Sequence, residues 1–247
     1  ALQDGARTFV NYCLNCHSAS MMRFNRLQDI GLTDEQISGS LQFTEGRVGD
    51  LMKVAMRHED GKAWFGAAPP DLSVEARARA SESGSGADWI YTYLRSYYRD
   101  GSRETGWNNA IFPNVGMPNP LWQWQGMRGA VEERVAPVTD EATGKVTGWT
   151  KTTITYDREG NKSEKVEKVD GDGLHEGTHF TLGTPEGGTL SQAEFDDKVA
   201  NLVAFMKFMS DPSASTRGRL GIWVLLFIAL FVGCTWWLNR EYWKDIK

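Results

Sequence analysis

The stretch Cys13-Leu14-Asn15-Cys16-His17 decides how this 247-residue chain is interpreted. C-x-x-C-H is the attachment sequence of a c-type haem, in which two thiols bond one porphyrin edge and the next residue places an imidazole under the iron. A zinc site would need two further thiol or imidazole ligands at matching spacing, and the remaining cysteine, Cys234, lies in a distant apolar run. A thioredoxin-like pair would follow a strand, whereas an amphipathic helical pattern precedes this motif. The motif therefore predicts one covalently attached haem c.

A second feature is an uncharged run from Leu220 to Leu238 near the C-terminus. A helix of that length spans about 28 Å, close to the hydrocarbon thickness of a bilayer. Aromatic side chains suited to a membrane interface lie at its end and just beyond it: Trp236, Trp237, Tyr242 and Trp243. The run predicts a transmembrane anchor, in which Cys234 is a small apolar residue rather than a ligand.

The distribution of basic residues hardly distinguishes the two possible orientations of this anchor. They stand on both sides of the run: Arg217 and Arg219 before it, and Arg240, Lys244 and Lys247 after it. The haem motif decides instead, because c-type haems are attached outside the energy-transducing membrane. We expect residues 1–212 to form a periplasmic haem domain of a bacterial inner-membrane protein, and residues 213–247 to form the anchor and a short cytoplasmic tail. Export requires a signal, and Ala1 opens directly into a helical pattern, so we expect a processed or incomplete chain.

Composition limits the partners of this domain. The net charge is −5, which argues against nucleic acid and is compatible with a basic protein partner. The region before the anchor, about 210 residues, is large enough to enclose one haem-centred core with an appendage.

Helical patterns dominate the chain outside one central segment. Capping-box spacing, Thr33 with Gln36 and Ser191 with Glu194, predicts two helix starts. Apolar periodicity predicts helices over Val48–His58 and Asp88–Tyr98. The stretch from Pro212 to Thr216 is predicted to be a hinge before the anchor.

The central segment, about residues 126–188, has a different pattern. Trp149 to Tyr156 and Lys162 to Val169 alternate polar and larger side chains around a glycine-containing turn. Alternation of this kind predicts a polar β-hairpin inserted into a mostly α protein.

The iron side opposite His17 has several candidate ligands. They are the three other histidines, His58, His175 and His179, and the eight methionines, among which Met117 stands out. Met117 stands in a loop stiffened by Pro113 and Pro118, and a thioether ligand stabilises ferrous iron as an electron carrier requires. On these residues alone, Met117 as ordinary core filler stays an alternative.

Residues His175 to His179 match H-E-x-x-H, the zinc protease signature. That chemistry needs both imidazoles on one helix face. Gly171, Gly173, Gly177 and Gly183 crowd the motif, so we predict a surface loop rather than a zinc site.

Four features in order resemble the cytochrome c1 family in a bacterial form. They are Cys13 to His17; Pro69-Pro70-Asp71-Leu72-Ser73 followed by Arg77 and Arg79; Phe112, Pro113, Gly116 and Met117; and an anchor ending Arg240-Glu241-Tyr242-Trp243-Lys244. The long polar insertion between Met117 and the helix at Glu194 departs from the family pattern.

The resemblance implies a fold and a set of site residues. The fold is mostly α: a class I cytochrome c-like haem domain with a polar β-hairpin insertion and one C-terminal transmembrane helix. The cofactor is a single haem c on Cys13, Cys16 and His17. Met117 becomes the sixth ligand, Arg79 the partner of a haem propionate, Trp89 part of the pocket wall, and Pro70 part of a backbone segment edging the ring. On the residues alone, Arg79 would be a solvated charge at a helix end, one of the two neighbouring arginines Arg77 and Arg79.

The resemblance also implies a function. The chain would carry single electrons, without substrate chemistry of its own, as a subunit of a dimeric quinol:cytochrome c reductase. Its partners would be cytochrome b, a Rieske iron-sulfur protein as donor, and a soluble or tethered cytochrome c as acceptor. The alternatives are a free-standing membrane-anchored cytochrome c, a haem-based ligand sensor, and a haem subunit of an oxidase or reductase.

Overall fold

The structure, a computed structural model, describes residues 1–43, 46–139, 145–169 and 175–245. Its helices are α1 (Leu2–Tyr12), α2 (Asp34–Ser40), α3 (His58–Phe65), α4 (Glu75–Ala78), α5 (Gly86–Leu94), α6 (Trp122–Gln125), α7 (Gln192–Ser210) and α8 (Ala214–Tyr242), with a 3-10 helix over Phe24–Ile30. Its strands are β1 (Ala19–Arg23), β2 (Leu51–Met52), β3 (Tyr97–Arg99), β4 (Trp107–Asn109), β5 (Ala130–Thr139), β6 (Val146–Tyr156), β7 (Lys162–Val169) and β8 (Gly177–Leu182).

The main core forms where α1 packs against α7. Phe9 and Phe205 are fully buried there, with their ring centroids 5.6 Å apart. A Cβ on Gly5 would collide with the Asn201 backbone carbonyl, so the missing side chain permits this close approach. The packing places the end of α1, and with it the Cys13–His17 motif, on a rigid helix pair.

Both predicted capping boxes are confirmed. Thr33 and Gln36 exchange side-chain and backbone hydrogen bonds at the start of α2. Ser191 and Glu194 do the same at the start of α7. Each box satisfies amide groups that the first helical turn leaves without partners.

Two predicted helix ranges are wrong. Within Val48–His58, residues Leu51 and Met52 pair with β1, and α3 begins only at His58. The predicted helix Asp88–Tyr98 ends at Leu94, and Tyr97 instead pairs with Asn109 in a two-stranded sheet. In both ranges the apolar spacing suits a helix, but pairing with a distant strand satisfies the backbone instead.

The predicted hairpin is present inside a larger sheet. Strands β6 and β7 pair in the register Trp149↔Val169 to Tyr156↔Lys162. Strands β5 and β8 extend them to an antiparallel sheet of order β7-β6-β5-β8. The alternation that marks a strand is obscured in β5, where the buried Glu132 pairs with Arg134.

The sheet has a small core of its own. Tyr98 of β3 packs against Tyr156 and Phe180, with ring centroids 5.0 and 6.1 Å apart. Ala130 and Ile154 complete this cluster. Tyr98 therefore joins the inserted sheet to the segment that follows α5.

Helix α8 contains the predicted anchor. In the described part of the chain it is the helix long and apolar enough to cross a membrane, over Thr216–Tyr242, and its apolar window is fully exposed. It begins at Ala214, so the predicted hinge is shorter than expected.

Candidate haem site

The two thiols of the motif lie just after α1. The Cys13 amide donates to the Phe9 carbonyl at 2.9 Å, and the His17 amide donates to the Cys13 carbonyl at 2.9 Å, which folds the motif into a compact turn. Both cysteines are free thiols. Burial, with a smaller effect of Cys16, raises the pKa of Cys13 to about 12. Burial also raises the pKa of Cys16.

His17 is held in one ring orientation by the backbone of the Pro70 segment. Its Nδ1 lies 2.8 Å from the Pro70 carbonyl, which only accepts, so Nδ1 carries the proton. Nε2 is left with its lone pair, the form that binds a metal. Burial lowers the pKa of His17, against the opposing effects of the Pro70 hydrogen bond and the charges of Glu75 and Asp71.

The Pro70 segment is in turn fixed to the chain after the motif. The Asp71 carboxylate accepts hydrogen bonds from the amide and hydroxyl of Ser20 at 2.8 and 2.6 Å, and from the Ser73 amide at 2.8 Å. The Leu72 amide donates to the Ser18 carbonyl at 2.8 Å. The Pro70 carbonyl thus orients His17, while the predicted place of Pro70 at the edge of the ring stays a prediction.

The loop before Met117 is held by side chains rather than by regular structure. Asn109 Oδ1 accepts from the amides of Ile111 and Phe112 at 2.9 and 3.2 Å. Asn108 Oδ1 accepts from the amide of Asn114 at 2.8 Å. The prolines pointed to a stiff loop, but these two asparagines were missed. The Asn-Asn pair directly after Trp107 is the signal that marks them.

Gly116 brings this loop close to the end of α3. A Cβ at that position would lie 3.0 Å from the Phe65 carbonyl, so a side chain would push the loop away. Large apolar side chains on these two segments are exposed, with Trp64 at 61% and Phe112 at 46%. The Met117 loop therefore offers an apolar surface suited to a flat cofactor.

Three of the predicted site residues meet through a fourth that was missed. The Arg79 guanidinium lies 4.5 Å above the Trp89 ring. Trp89 stacks on Tyr93 at 5.0 Å, and the Tyr93 hydroxyl lies 3.7 Å from Met117 Sδ. Tyr93 lies within the predicted helix Asp88–Tyr98, but its hydroxyl could be assigned to Met117 only from the tertiary structure.

Arg79 has one strong protein partner. Its Nε donates to Glu75 Oε1 at 2.6 Å, one helical turn back, and its side chain is 40% exposed. Its two terminal nitrogens make no hydrogen bond with the described residues. These nitrogens are the donors that a carboxylate would use.

The residue types of this region fit a covalently attached haem. Two free thiols stand at C-x-x-C spacing, and an oriented imidazole has Nε2 open. A thioether lies on a stiff apolar loop, and a guanidinium has terminal nitrogens that bond no residue in the described part of the chain. This donor set matches the needs of a c-type haem iron and its propionates.

The H-E-x-x-H segment takes a different geometry. Gly177–Leu182 forms strand β8, and His179 pairs there with Glu133 of β5. His175 and His179 therefore do not lie on one helix face, as a zinc protease requires. The predicted surface loop is wrong for Gly177–Leu182, which form a strand. Gly171 and Gly173 lie outside the described residues.

Comparisons with known proteins give a consistent family. The Cytochrome C1 family model matches residues 1–133. The chain is 36% identical over its whole length to cytochrome c1 of Allochromatium vinosum, covering 84% of that protein. It is 40% identical over its whole length to a protein of Nitrosomonas europaea named ammonia monooxygenase gamma subunit, covering 83% of it. Identity to cytochrome c1 of Rhodospirillum rubrum is 24%, covering 82% of that protein.

Fold, motif and similarity together define a membrane-anchored c-type haem protein of the electron-transport class. The chain belongs to the cytochrome c1 family, the haem electron carriers of bc1-type complexes in the respiratory chain. The resemblance seen in the sequence is confirmed.

Proposed function

We propose that this chain accepts single electrons from a Rieske iron-sulfur protein and passes them to a soluble or tethered cytochrome c. The observation that carries the proposal is the presence of two candidate axial ligands on ordered segments: His17, oriented by the Pro70 carbonyl, and Met117, on a loop that Asn108 holds by a hydrogen bond. A bound haem c supplies a one-electron iron couple. Because the motif occurs once, we propose one haem.

The site residues have distinct proposed roles within a class I cytochrome c-like domain. Cys13 and Cys16 form the thioether bonds, and His17 Nε2 and Met117 Sδ are the axial ligands. Arg79 neutralises a propionate, Trp89 lines the pocket wall, and the Pro70 backbone edges the ring. Ligands on both sides leave no open position, so dioxygen and carbon monoxide should not bind. This distinguishes a carrier from a haem-based ligand sensor or an oxidase subunit.

We further propose how the chain is placed in the membrane. Residues 1–212, including the insertion at 126–188, lie in the periplasm, and residues 213–247 form the anchor and cytoplasmic end. Two variants that each add one cysteine test this: Glu159→Cys, at the exposed β6–β7 turn, and Asp245→Cys, after α8. A membrane-impermeant maleimide should label the first in intact spheroplasts and the second only after lysis. The opposite labelling would overturn the orientation.

The proposed complex is a dimer in which α8 packs against cytochrome b. Gly221 and Gly233 leave open space along α8, which permits close approach of a neighbouring helix. Replacing Leu220–Leu238 by a generic apolar helix should keep the haem while quinol:cytochrome c reductase activity and copurifying cytochrome b are lost. Full activity without cytochrome b would indicate a free-standing carrier.

A second candidate follows from the Nitrosomonas europaea relative, which is 40% identical over the whole chain. The name of that relative describes a subunit of ammonia monooxygenase. The same purification distinguishes the two functions, because a reductase subunit should bring cytochrome b and a Rieske protein with it. Recovery of ammonia-oxidising activity with this chain, and no cytochrome b, would favour the second candidate.

A further inference from the structure

A cavity of about 640 Å³ lies beside the inserted sheet, between the end of α5, the start of α7 and the segment after β8. Six residues carry its chemistry: Arg95, Ser96, Gln125, Arg128, Gly183 and Ser191. Cys13, His17 and Met117 do not line it. It is therefore separate from the haem site.

Arg128 is a buried cation in this cavity without a carboxylate of its own. It is 6% exposed, and its Nε donates to the Tyr97 carbonyl at 2.8 Å. Its Nη2 donates to the Arg95 carbonyl. Both partners are neutral, and no carboxylate of the described residues forms a salt bridge with it. Burial, together with the charge of Arg95, lowers the pKa of Arg128 to about 10, against the opposing effect of the Asp196 charge.

The nearest acidic group already has a partner. Asp196 forms a two-pronged salt bridge with Arg95, at 2.7 and 2.6 Å. Two guanidinium groups and one carboxylate leave one positive charge in the cluster. Because the charge of Asp196 is shared between two guanidinium groups, a further anion in the cavity would stabilise the buried Arg128.

Gln125 supplies a second, independent indication. It is 5% exposed and lines the cavity. Its Oε1 accepts from Asn119 Nδ2 at 2.6 Å, whereas its Nε2 is buried without a partner among the described residues. A buried amide donor of this kind lacks an acceptor, which an oxyanion would provide.

The start of α7 adds little to the positive charge of the cavity. The Glu194 carboxylate accepts hydrogen bonds from the amide and the hydroxyl of Ser191, at 2.9 and 2.7 Å. The helix dipole there is already matched by an acidic group. Arg128 and Gln125 are therefore the residues that select a ligand.

We propose that this cavity binds a small oxyanion, inorganic phosphate or a carboxylate, between Arg128 and Gln125. The bond from Arg128 would be charge-assisted, through Nη1 and the second hydrogen of Nη2, which the two carbonyl partners do not use. Arg128 bonds the carbonyl of Arg95, directly after α5, and Gln125 is the last residue of α6. Such a ligand would therefore link the end of α5 to the end of α6.

The test uses the full haem-containing chain in detergent, transferred into chloride buffer without oxyanions. Equilibrium dialysis with radiolabelled phosphate at constant ionic strength should give one phosphate per haem. Gln125→Glu keeps the acceptor for Asn119 but places a carboxylate in the cavity. It should weaken phosphate binding about tenfold or more, since a hydrogen bond to a charged group is worth roughly that factor. The matched control is Gln123→Glu on the exposed side of α6, which should leave binding unchanged.

A second variant tests the charge. Arg128→Gln should abolish saturable binding, whereas Arg158→Gln, at the exposed pair with Glu186, should not. If Arg128→Gln does not fold, because it also releases two backbone carbonyls, Gln125→Glu decides alone. Displacement of phosphate by acetate supports a carboxylate ligand, and failure of acetate to displace it supports phosphate. No phosphate binding above the chloride background, or equal binding by Gln125→Glu and Gln123→Glu, would overturn the proposal.

Discussion

The hydroxyl of Tyr93 lies 3.7 Å from Met117 Sδ and 2.7 Å from the hydroxyl of Tyr97. Tyr97 is fully buried, so its proton is satisfied only if it donates to Tyr93. The Tyr93 proton is then free to point at the sulfur. The two tyrosines therefore form a directed chain, Tyr97 to Tyr93 to Met117.

Replacing Tyr93 by Phe should lower the reduction potential of the haem. A hydrogen bond to the thioether withdraws electron density and favours ferrous iron, so its loss favours the ferric form. The decrease should be tens of millivolts, because a net hydrogen bond is worth about 1 kcal/mol and about 59 mV is tenfold for one electron. A redox titration measures it. Tyr91→Phe on the same helix is the control, since Tyr91 contacts Arg95 instead. Equal potentials for the two variants would contradict the assignment.

Replacing Met117 by Leu should remove the axial thioether. The oxidised protein should lose its weak absorption near the red end of the visible spectrum, its potential should fall, and the reduced protein should bind carbon monoxide. Met127→Leu is the matched control, because both methionines pack against the cluster of Tyr97, Trp107 and Val115. A Met117→Leu protein that keeps the band, the potential and the resistance to carbon monoxide would exclude Met117 as a ligand.

Arg79→Gln should disturb the haem more than Arg77→Gln. Arg79 lies over Trp89, and its terminal nitrogens have no hydrogen-bond partner among the described residues, so a propionate could use them. Loss of a hydrogen bond to a charged group costs about 1.5–3 kcal/mol, and removal of the positive charge should lower the potential. Redox titration and haem retention after mild denaturation measure both effects. Identical behaviour of the two variants would return Arg79 to the role of a solvated surface charge.

Asp4→Asn should destabilise the contact between α1 and α7 at neutral pH. The Asp4 carboxylate accepts from Lys198 Nζ at 2.6 Å and from Asn201 Nδ2 at 2.9 Å. Burial alone would raise the pKa of Asp4. These hydrogen bonds and the Lys198 charge outweigh burial and lower the pKa of Asp4 below its ordinary 3.8. Its stabilising effect is therefore complete above that value and is lost as the pH falls through the lower, folded-state pKa.

Guanidinium unfolding measures this effect, and the difference should be about 0.5–1.5 kcal/mol near pH 7. It should shrink towards zero once the pH is below the folded-state pKa of Asp4. Asp29→Asn, which breaks an exposed pair with Arg26, is the control and should change stability little. If the difference in free energy of unfolding between wild type and Asp4→Asn is the same near pH 7 and below the folded-state pKa of Asp4, the carboxylate charge is not responsible for it.

Features that depend on local spacing could be predicted from the sequence. The Cys13–His17 motif, both capping boxes, the β6–β7 hairpin and the apolar run of α8 each involve residues within one or two turns or strands. Their geometry follows from covalent connection and from the periods of helix and strand. The same reliance on spacing explains the errors, since Tyr97 fits the apolar spacing that predicts a helix over Asp88–Tyr98 and yet lies on strand β3.

The tertiary structure alone decided which distant groups meet. The Pro70 carbonyl orients His17 across 53 residues, Tyr93 reaches Met117 across 24, and Arg128 holds the carbonyl of Tyr97 across 31. By itself, the sequence determined the attachment motif and the anchor, because their chemistry is complete within a short stretch of chain. The partner of each buried polar group was decided only by folding, because a hydrogen bond depends on distance and angle in space, which residue order does not specify.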